Sequence, residues 1–255
     1  MKLSVAMITR NEERILETTL KSVMDFADEI IIVDSGSTDR TEEIANKYQA
    51  KFYKEDWKGY GLQKNSAIEK CTGDWILNID ADEEISQELK EKIVEIKNNE
   101  LEKKIFKINF LSICFGKEIK HGGWSNFYRI RLFRKSIGKF NDNVVHEEFQ
   151  TNEKVYTLKE QIKHHTYITL EEYFDKFNRY STEGAREYFK RKKKYSWYQI
   201  FFNSEFVFFK NYILRLGILD GVEGYLLAKA TAMQTMTKYY KLKELYKKEN
   251  KSKKS

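Results

Sequence analysis

The chain has no proline and only two cysteines in 255 residues. Without proline, its turns must be made by glycine, asparagine, aspartate and serine. Cys71 and Cys114 lie far apart and lack the spacing of metal ligands. That excludes a disulfide framework, argues against a zinc site and leaves both thiols as expected core residues of a protein kept in a reducing compartment. Glycine is scarce where it would matter most: Gly36 is the only one among the first 58 residues. Neither the dinucleotide fingerprint nor the phosphate-binding P-loop can therefore be present. Long apolar runs are missing too. Met1 and Lys2 precede only seven mostly apolar residues before "RNEER", too few for a signal peptide or a membrane span, so a cytoplasmic protein is expected.

The net charge is +7, but it is not spread over the chain. "KRKKK" at 190–194 carries +5 and the tail at 247–255 carries +4, which leaves the remainder slightly acidic. Two local basic clusters on such a body suit docking on an anionic membrane surface and speak against nucleic acid as a partner.

What is present in the first hundred residues is a βαβ alternation. "LSVAMIT" (3–9), "EIIIVDS" (29–35), "KFYKED" (51–56) and "DWILNID" (74–80) read as strands. The second is apolar nearly throughout, as when helices cover both faces of a sheet. A helix is expected from Asn11 to Met24 behind an Asn11 cap, and Asp39 with Glu42 as a capping pair opening the next. From about Lys104 longer alternating segments suggest added mixed or antiparallel strands. In "YRIRLFR", Tyr128, Ile130 and Leu132 are assigned to one face and Arg129, Arg131 and Phe133 to the other. From Thr169, which forms a capping box with Glu172, the pattern is helical, with further helices near 196–216 and 219–245. The division expected is 1–168 (1–103 and 104–168 as its two parts), a helical extension over 169–246 and a basic tail over 247–255.

In open α/β sheets ligands sit at the carboxyl ends of strands, and three polar clusters fall there: "TRNEE", "DSGSTD" and "DADEE". Asp34 is either a carboxylate that accepts hydrogen bonds from a base or ribose, or only part of a turn. "NIDADEE" puts four carboxylates into seven residues. Like charges so close call for a cation or a proton between them. A hard divalent cation, Mg2+ or Mn2+, bound by one or two carboxylates beside a diphosphate meets that need. The bland alternative is a solvated helix start, with Glu83 and Glu84 favouring the helix dipole.

With "ITRNEE", "IIVDSGSTDRT" and a D-x-D, the chain resembles the family-two glycosyltransferases. Through "GYGLQKNSAI", "LNIDADE", "HGGW", "RIRLFR", "NVVHEEF", "KHHTY", "KFNRYS" and "GILDGVEGY" it resembles in particular their bacterial lipopolysaccharide-core β-1,4-glucosyltransferases, over most of residues 3–240. The resemblance implies a GT-A fold, a Rossmann-like α/β sheet with added mixed strands and a C-terminal helical extension. It implies an inverting, metal-dependent transfer of a hexose, glucose from UDP-glucose, to a lipid-linked saccharide such as the lipopolysaccharide inner core. It also implies that Thr9, Asn11, Glu12 and Asp34 line the nucleoside pocket, that Gln63, Lys64 and Asn65 lie near the donor, and that Asp80 and Asp82 handle the metal diphosphate. Glu147, preferred to Glu148, is the base implied by the "VHE" triplet, and His164 or His165 a metal or diphosphate contact.

Arg129, Arg131 and Arg134 read first as exposed arginines on an edge strand and second as a phosphate grip. The basic run and the eight aromatics of 195–209 read equally as an interfacial anchor on the inner face of the cell membrane or as a helical bundle with a solvated basic end. The rival to an enzyme is a non-catalytic saccharide- or nucleotide-binding protein on a transferase scaffold at the membrane surface.

Overall fold

The computed structural model describes residues 1–99, 103–142 and 147–252. Asn143 to His146, the start of "NVVHEEF", and the last three residues lie outside them. The chain divides into two units: residues 1–111 with 127–165, and residues 112–126 with 166–255.

The strands are β1 (Leu3–Thr9), β2 (Glu29–Asp34), β3 (Lys51–Lys54), β4 (Trp75–Asn78), β5 (Glu83–Ile85), β6 (Ile105–Cys114), β7 (Lys117–Ile119), β8 (Phe127–Arg134), β9 (Lys139–Phe140), β10 (Phe149–Gln150) and β11 (Tyr156–Tyr167). The helices are α1 (Leu16–Val23), α2 (Thr41–Lys47), α3 (Tyr60–Lys70), α4 (Gln87–Asn98), α5 (Leu170–Lys190), α6 (Trp197–Phe209) and α7 (Gly221–Ser252). The main sheet runs β3-β2-β1-β4-β8-β6-β11-β5. Its β1, β2, β3 and β4 are parallel neighbours, while β8 joins β4 and β6 antiparallel. The fold is thus a GT-A-like mixed α/β sheet with added strands and a long helical extension.

Alternate residues of the parallel strands feed two cores, because successive side chains leave a strand on opposite faces. Val5, Met7, Ile32, Trp75 and Leu77 pack with Leu16, Leu20 and Val23 of α1 and Leu89, Ile93 and Ile96 of α4. Ala6, Ile31, Val33 and Ile76 pack with Ala67 and Ile68 of α3 on the other side. Burial on both faces explains the near-continuous apolar run of β2. Both cysteines are buried, Cys71 in this second core.

Three local expectations and one alternative are corrected. Asn11 caps nothing: it stands at φ +57°, its amide oxygen accepts from the Thr38 N–H at 2.8 Å, and α1 begins only at Leu16. Asp39 does hold the start of α2, accepting from the Thr41 N–H at 3.0 Å, but Glu42 pairs with Lys54 instead of reaching back. Likewise Thr169 accepts from the Glu172 N–H, whereas Glu172 accepts from the Ile168 N–H. Nor do Glu83 and Glu84 start a helix. They form β5, paired with β11, and Ser86 caps α4 by accepting from the Leu89 N–H.

In the second unit α7 packs against α5 and α6. Lys241 of α7 donates to the Asn178 side chain, Ser181 and Thr182 at 2.7–2.8 Å, fastening α5. A smaller aromatic core gathers Tyr167, Tyr173, Phe115, Trp124 and Leu227.

Gly61, in the first turn of α3, tests how tightly the first unit is closed. A Cβ there would lie 1.9 Å from the Asn141 carbonyl oxygen and 3.6 Å from Cβ of Glu147. Helix propensity alone favours Gly61→Ala by about 1 kcal/mol. The close approach reverses the sign, and the variant is expected to lose about 1–3 kcal/mol, as overpacked sites do. A urea denaturation midpoint at or above that of the wild type would show that the Asn141 backbone yields freely.

Candidate active site

The carboxyl ends of β1, β2 and β4 lie side by side, since Thr9 registers with Asp34 and Ala6 with Asn78. The first cluster forms between β1 and β2. Asp34 is 1 % exposed and its carboxylate is surrounded by donors. Oδ1 accepts from the N–H groups of Gly36 and Ser37 at 2.9 and 2.8 Å, and Oδ2 from the hydroxyls of Thr9 and Ser37. Asp34 therefore shapes the "DSGST" turn from within. Asn11 ties the same turn through Ser37 and Thr38, and the Glu12 N–H donates to Thr41 at 2.8 Å. Thr9, Asn11, Glu12 and Asp34 are thus brought together around one loop.

The second cluster forms where β4 ends. Lys64 of α3 is buried, and its Nζ lies 3.0 Å from Asp80 Oδ1 and 2.9 Å from Glu147 Oε1. One ammonium joins the D-x-D turn to the "HEE" segment, 83 residues from Lys64 in the chain. Its neighbours on α3 have other tasks. Asn65 clamps Phe140 by donating to its carbonyl and accepting from its N–H, both at 2.9 Å. Gln63 accepts from the Lys58 N–H, while its Nε2 is buried with no acceptor among the described residues. A buried amide donor without a partner costs free energy unless something else accepts from it.

Arg131 completes the cluster. β8 is no edge strand, because it lies between β4 and β6. The expected alternation fails at one place: Phe106 pairs with Leu132 and Lys107 with Ile130, so Arg131 is an extra residue in a β-bulge. Leu132 and Phe133 alternate into the two opposite cores, and the bulge, which re-aims side chains, lets Arg131 be buried beside them. Arg131 Nη2 donates to Asp80 Oδ2 at 2.7 Å and to Glu83, and its guanidinium packs over the Phe110 ring. Arg134 instead covers Trp75 and Arg129 lies over Phe127.

Two cations thus serve three carboxylates. Burial pushes Asp80 up, but Arg131 and Lys64 outweigh it and hold the acid well below the usual carboxylate range. Glu83 is only 2 % exposed and shares Arg131. Burial, with Asp80 and Asp82 nearby, overcomes the guanidinium and raises it to about 7.

Register with β5 brings both histidines of "KHH" to the acids. His164 Nε2 stands 3.2 Å from Asp82 Oδ2, and His165 Nε2 2.9 Å from Glu84 Oε2. Burial lowers the affinity of His164 for a proton, but the hydrogen bond to Asp82 and the charges of Asp82, Glu83 and Asp80 reverse this. No three histidine, cysteine or acidic side chains converge as a metal cage among the described residues. A hard cation that keeps waters and takes phosphate oxygens needs fewer protein ligands, and the part-exposed Asp82 carboxylate beside an imidazole fits that demand. Asp80 is less suited, since each of its oxygens already faces a cation.

Residues 4–215 match the model of glycosyl transferase family 2. The chain belongs to that family. It is 34 % identical over 256 residues to an uncharacterized glycosyltransferase of Rickettsia bellii, covering 96 % of this chain and 87 % of the relative. It is also 29 % identical to the lipopolysaccharide core biosynthesis glycosyltransferase LpsC of Rhizobium meliloti, over 88 % and 86 % of the two chains. S. aureus TarS 1–349, solved in complex with UDP, shares the fold with a TM-score of 0.51 at 17 % identity, covering 97 % of this chain and 92 % of that one. The protein is a glycosyltransferase.

For this transferase Arg131 is the member of the cluster that strand alternation misses. Removing one partner of a buried ion pair typically costs about 3–5 kcal/mol, because the charge left behind stays buried. Arg131→Met is expected to lose that much by urea denaturation at neutral pH. Adding Glu83→Gln should recover part of the loss, because one unpaired carboxylate is then gone. Strictly additive losses in this double-mutant cycle would mean that the two side chains do not share their charge.

Proposed function

We propose that the protein is an inverting, metal-dependent hexosyltransferase that takes glucose from UDP-glucose and adds it to a lipid-linked saccharide of the lipopolysaccharide inner core type, at the inner face of the cell membrane. The observation that carries the proposal is the single buried ammonium of Lys64, held between Asp80 of the D-x-D turn and Glu147. It ties the D-x-D turn to the carboxylate that would act as base, so that the base keeps one position relative to that turn. The name of the Rhizobium meliloti relative supports the acceptor class, and that of the S. aureus structure supports a UDP donor.

In this reading the turn built on Thr9, Asn11, Glu12 and Asp34 frames the nucleoside, with Asp34 acting through the loop it organises. The unpaired Nε2 of Gln63 supplies a hydrogen-bond donor for the sugar diphosphate, and Asn65 holds Phe140 in place. Asp82, with His164 as its neighbour, would hold Mg2+ or Mn2+, which when bound neutralises charge on the departing diphosphate. Glu147 takes the proton from the acceptor hydroxyl as its oxygen bonds to the anomeric carbon and the bond to the diphosphate breaks. Lys64 keeps the Glu147 carboxylate aimed.

A screen of nucleotide sugars for hydrolysis with magnesium and manganese tests the donor; no turnover of any of them would favour the non-catalytic rival. Glu147→Gln is expected to lower turnover by about 10²–10⁴-fold with donor affinity nearly unchanged, because the amide keeps the shape and loses proton acceptance. Glu148, exposed, is the control: if Glu148→Gln is the dead variant, the base is the neighbour.

Asp82→Asn should separate from that class by weakening binding itself. Calorimetry with UDP is expected to show a manganese-dependent gain in affinity in the wild type and none in the variant, since the substitution removes ligand charge at constant volume. A gain of equal size in both would remove Asp82 from the cation site.

A further inference from the structure

The helix α6 is apolar on both its faces, the outward one included. Its outward positions, 197, 198, 201, 202, 205, 206 and 209, follow one helical face, and all but Glu205 are aromatic. Trp197 is 75 % exposed, Phe201 62 % and Phe206 60 %. The inward face, packed against α7, carries Asn203 and Ser204 beside Ile200, Val207 and Phe208. A helix in water buries its apolar stripe, so an aromatic face turned outward marks an interaction surface.

The surface continues past the helix. Residues Lys210–Leu214 form a π-helical turn and Gly217–Asp220 a 3₁₀ turn, and from the end of the first to the start of α7 Leu214, Leu216, Leu219 and Val222 all stand outward. The backbone imposes this exposure. Leu216 has φ +58°, a conformation that costs a branched side chain roughly 1–2 kcal/mol. Gly217 and Gly224 sit where a Cβ would lie 2.7 Å from the Asn211 oxygen and 2.0 Å from the Gly217 oxygen. The apolar turn is therefore built in place and does not need ordering when a partner arrives.

At the other end of α6 the two basic clusters of the sequence meet. The Tyr246 hydroxyl of α7 donates to the Lys193 carbonyl at 3.1 Å, and its ring packs on Phe189 and Tyr195. This contact sets Lys247, Lys248 and Lys251 beside Lys190, Lys192, Lys193 and Lys194, all exposed, with Arg191 paired to Glu187. Along α6 the surface thus passes from lysines to Trp197 and Tyr198, then to phenylalanine, then to leucine and valine. Among the described residues no helix is long and apolar enough to cross a membrane.

We propose that this face is a bilayer-docking surface selective for anionic lipid, with the joined lysine clusters on headgroups and the α6 rings and the 214–222 turn in the interfacial layer. Positive charge next to aromatic rings is the combination that anionic interfaces take up. A second copy of the chain is the less favoured occupant, because pairing this face with itself would bring two lysine clusters or two Glu205 side chains together. The inference goes beyond the proposed reaction and stands whatever the acceptor is.

The full chain is tested by flotation with vesicles of phosphatidylcholine alone and of phosphatidylcholine with phosphatidylglycerol in equal parts, without donor. Binding is expected to the mixed vesicles only. It should fall at least about tenfold in two separate variants: one with Phe201, Phe206 and Val222 changed to serine, the other with the five residues 190–194 changed to glutamine. All these side chains are exposed, and Leu214→Ser with Leu219→Ser repeats the apolar test elsewhere on the face. Donor hydrolysis in solution should be equal in all variants, so that failure of the reaction proposal and failure of docking are read separately. The proposal is overturned if the wild type ignores mixed vesicles, or if only the lysine variant loses binding. It is equally overturned if the wild type is a dimer in light scattering that the serine variant converts to monomer.

Discussion

A buried lysine between carboxylates from distant parts of the chain is the interaction on which the first unit depends. Lys64 reaches Asp80 and Glu147, and Arg131 reaches Asp80 and Glu83. These groups come from α3, the turn that leads from β4 into β5, the strand β8 and the loop of Glu147, so the cluster ties residues 64–83 to positions about 50 and 65 residues further along the chain. Two unit charges about 4 Å apart interact by about 4 kcal/mol at an effective dielectric near 20. Loss of either cation therefore leaves acids that repel by a sizeable part of a domain's whole stability. The cluster explains several local choices: why β8 bulges at Arg131, why α3 has a glycine opposite Asn141, and why Glu83 tolerates burial by keeping a proton near neutrality.

The bulge shows how a local irregularity produces a site. In a regular strand Arg131 would alternate with Leu132, and one of the two would face away from the sheet side that Asp80 occupies. Inserting one residue opposite Phe106 and Lys107 lets Arg131 be buried beside Leu132 and Phe133, which fill the two opposite cores. The guanidinium then lies over Phe110, where low dielectric strengthens its hold on Asp80.

Much of the sheet was legible because both of its periodicities are in the sequence. β1 and β2 agree with the apolar runs to within a residue, since strands buried on both faces admit few polar side chains. The polar ends of β1, β2 and β4 were equally plain. What was not legible depends on pairing between distant segments. Asn11 reads as a cap, yet its partner is Thr38 across the β1–β2 gap. Glu83 and Glu84 read as a helix start, yet β11 claims them as a strand. Arg131 reads as exposed on an edge, and only the position of β8 between β4 and β6 makes it internal. One local signal was available: an arginine between isoleucine and leucine, in a chain whose acids cluster elsewhere, is a charge that needs a buried partner. The two lysine clusters likewise meet through tertiary contacts, that of Tyr246 with Lys193 among them.

The charge balance also bears on the cation. Lys64 and Arg131 are each already shared between two carboxylates, and the cluster of Lys64, Arg131, Asp80, Glu83 and Glu147 is either neutral or carries one negative charge, depending on the Glu83 proton. A diphosphate brought against it would meet no unshared positive charge from these five groups. The missing charge must come from outside them, and Asp82, two residues beyond Asp80 and about a quarter exposed beside His164, is the aspartate of the motif that stands outside the Lys64 and Arg131 pairs. In the proposed reading this D-x-D turn divides its labour: the first aspartate is spent on building the site, and the second is left for what the substrate brings with it.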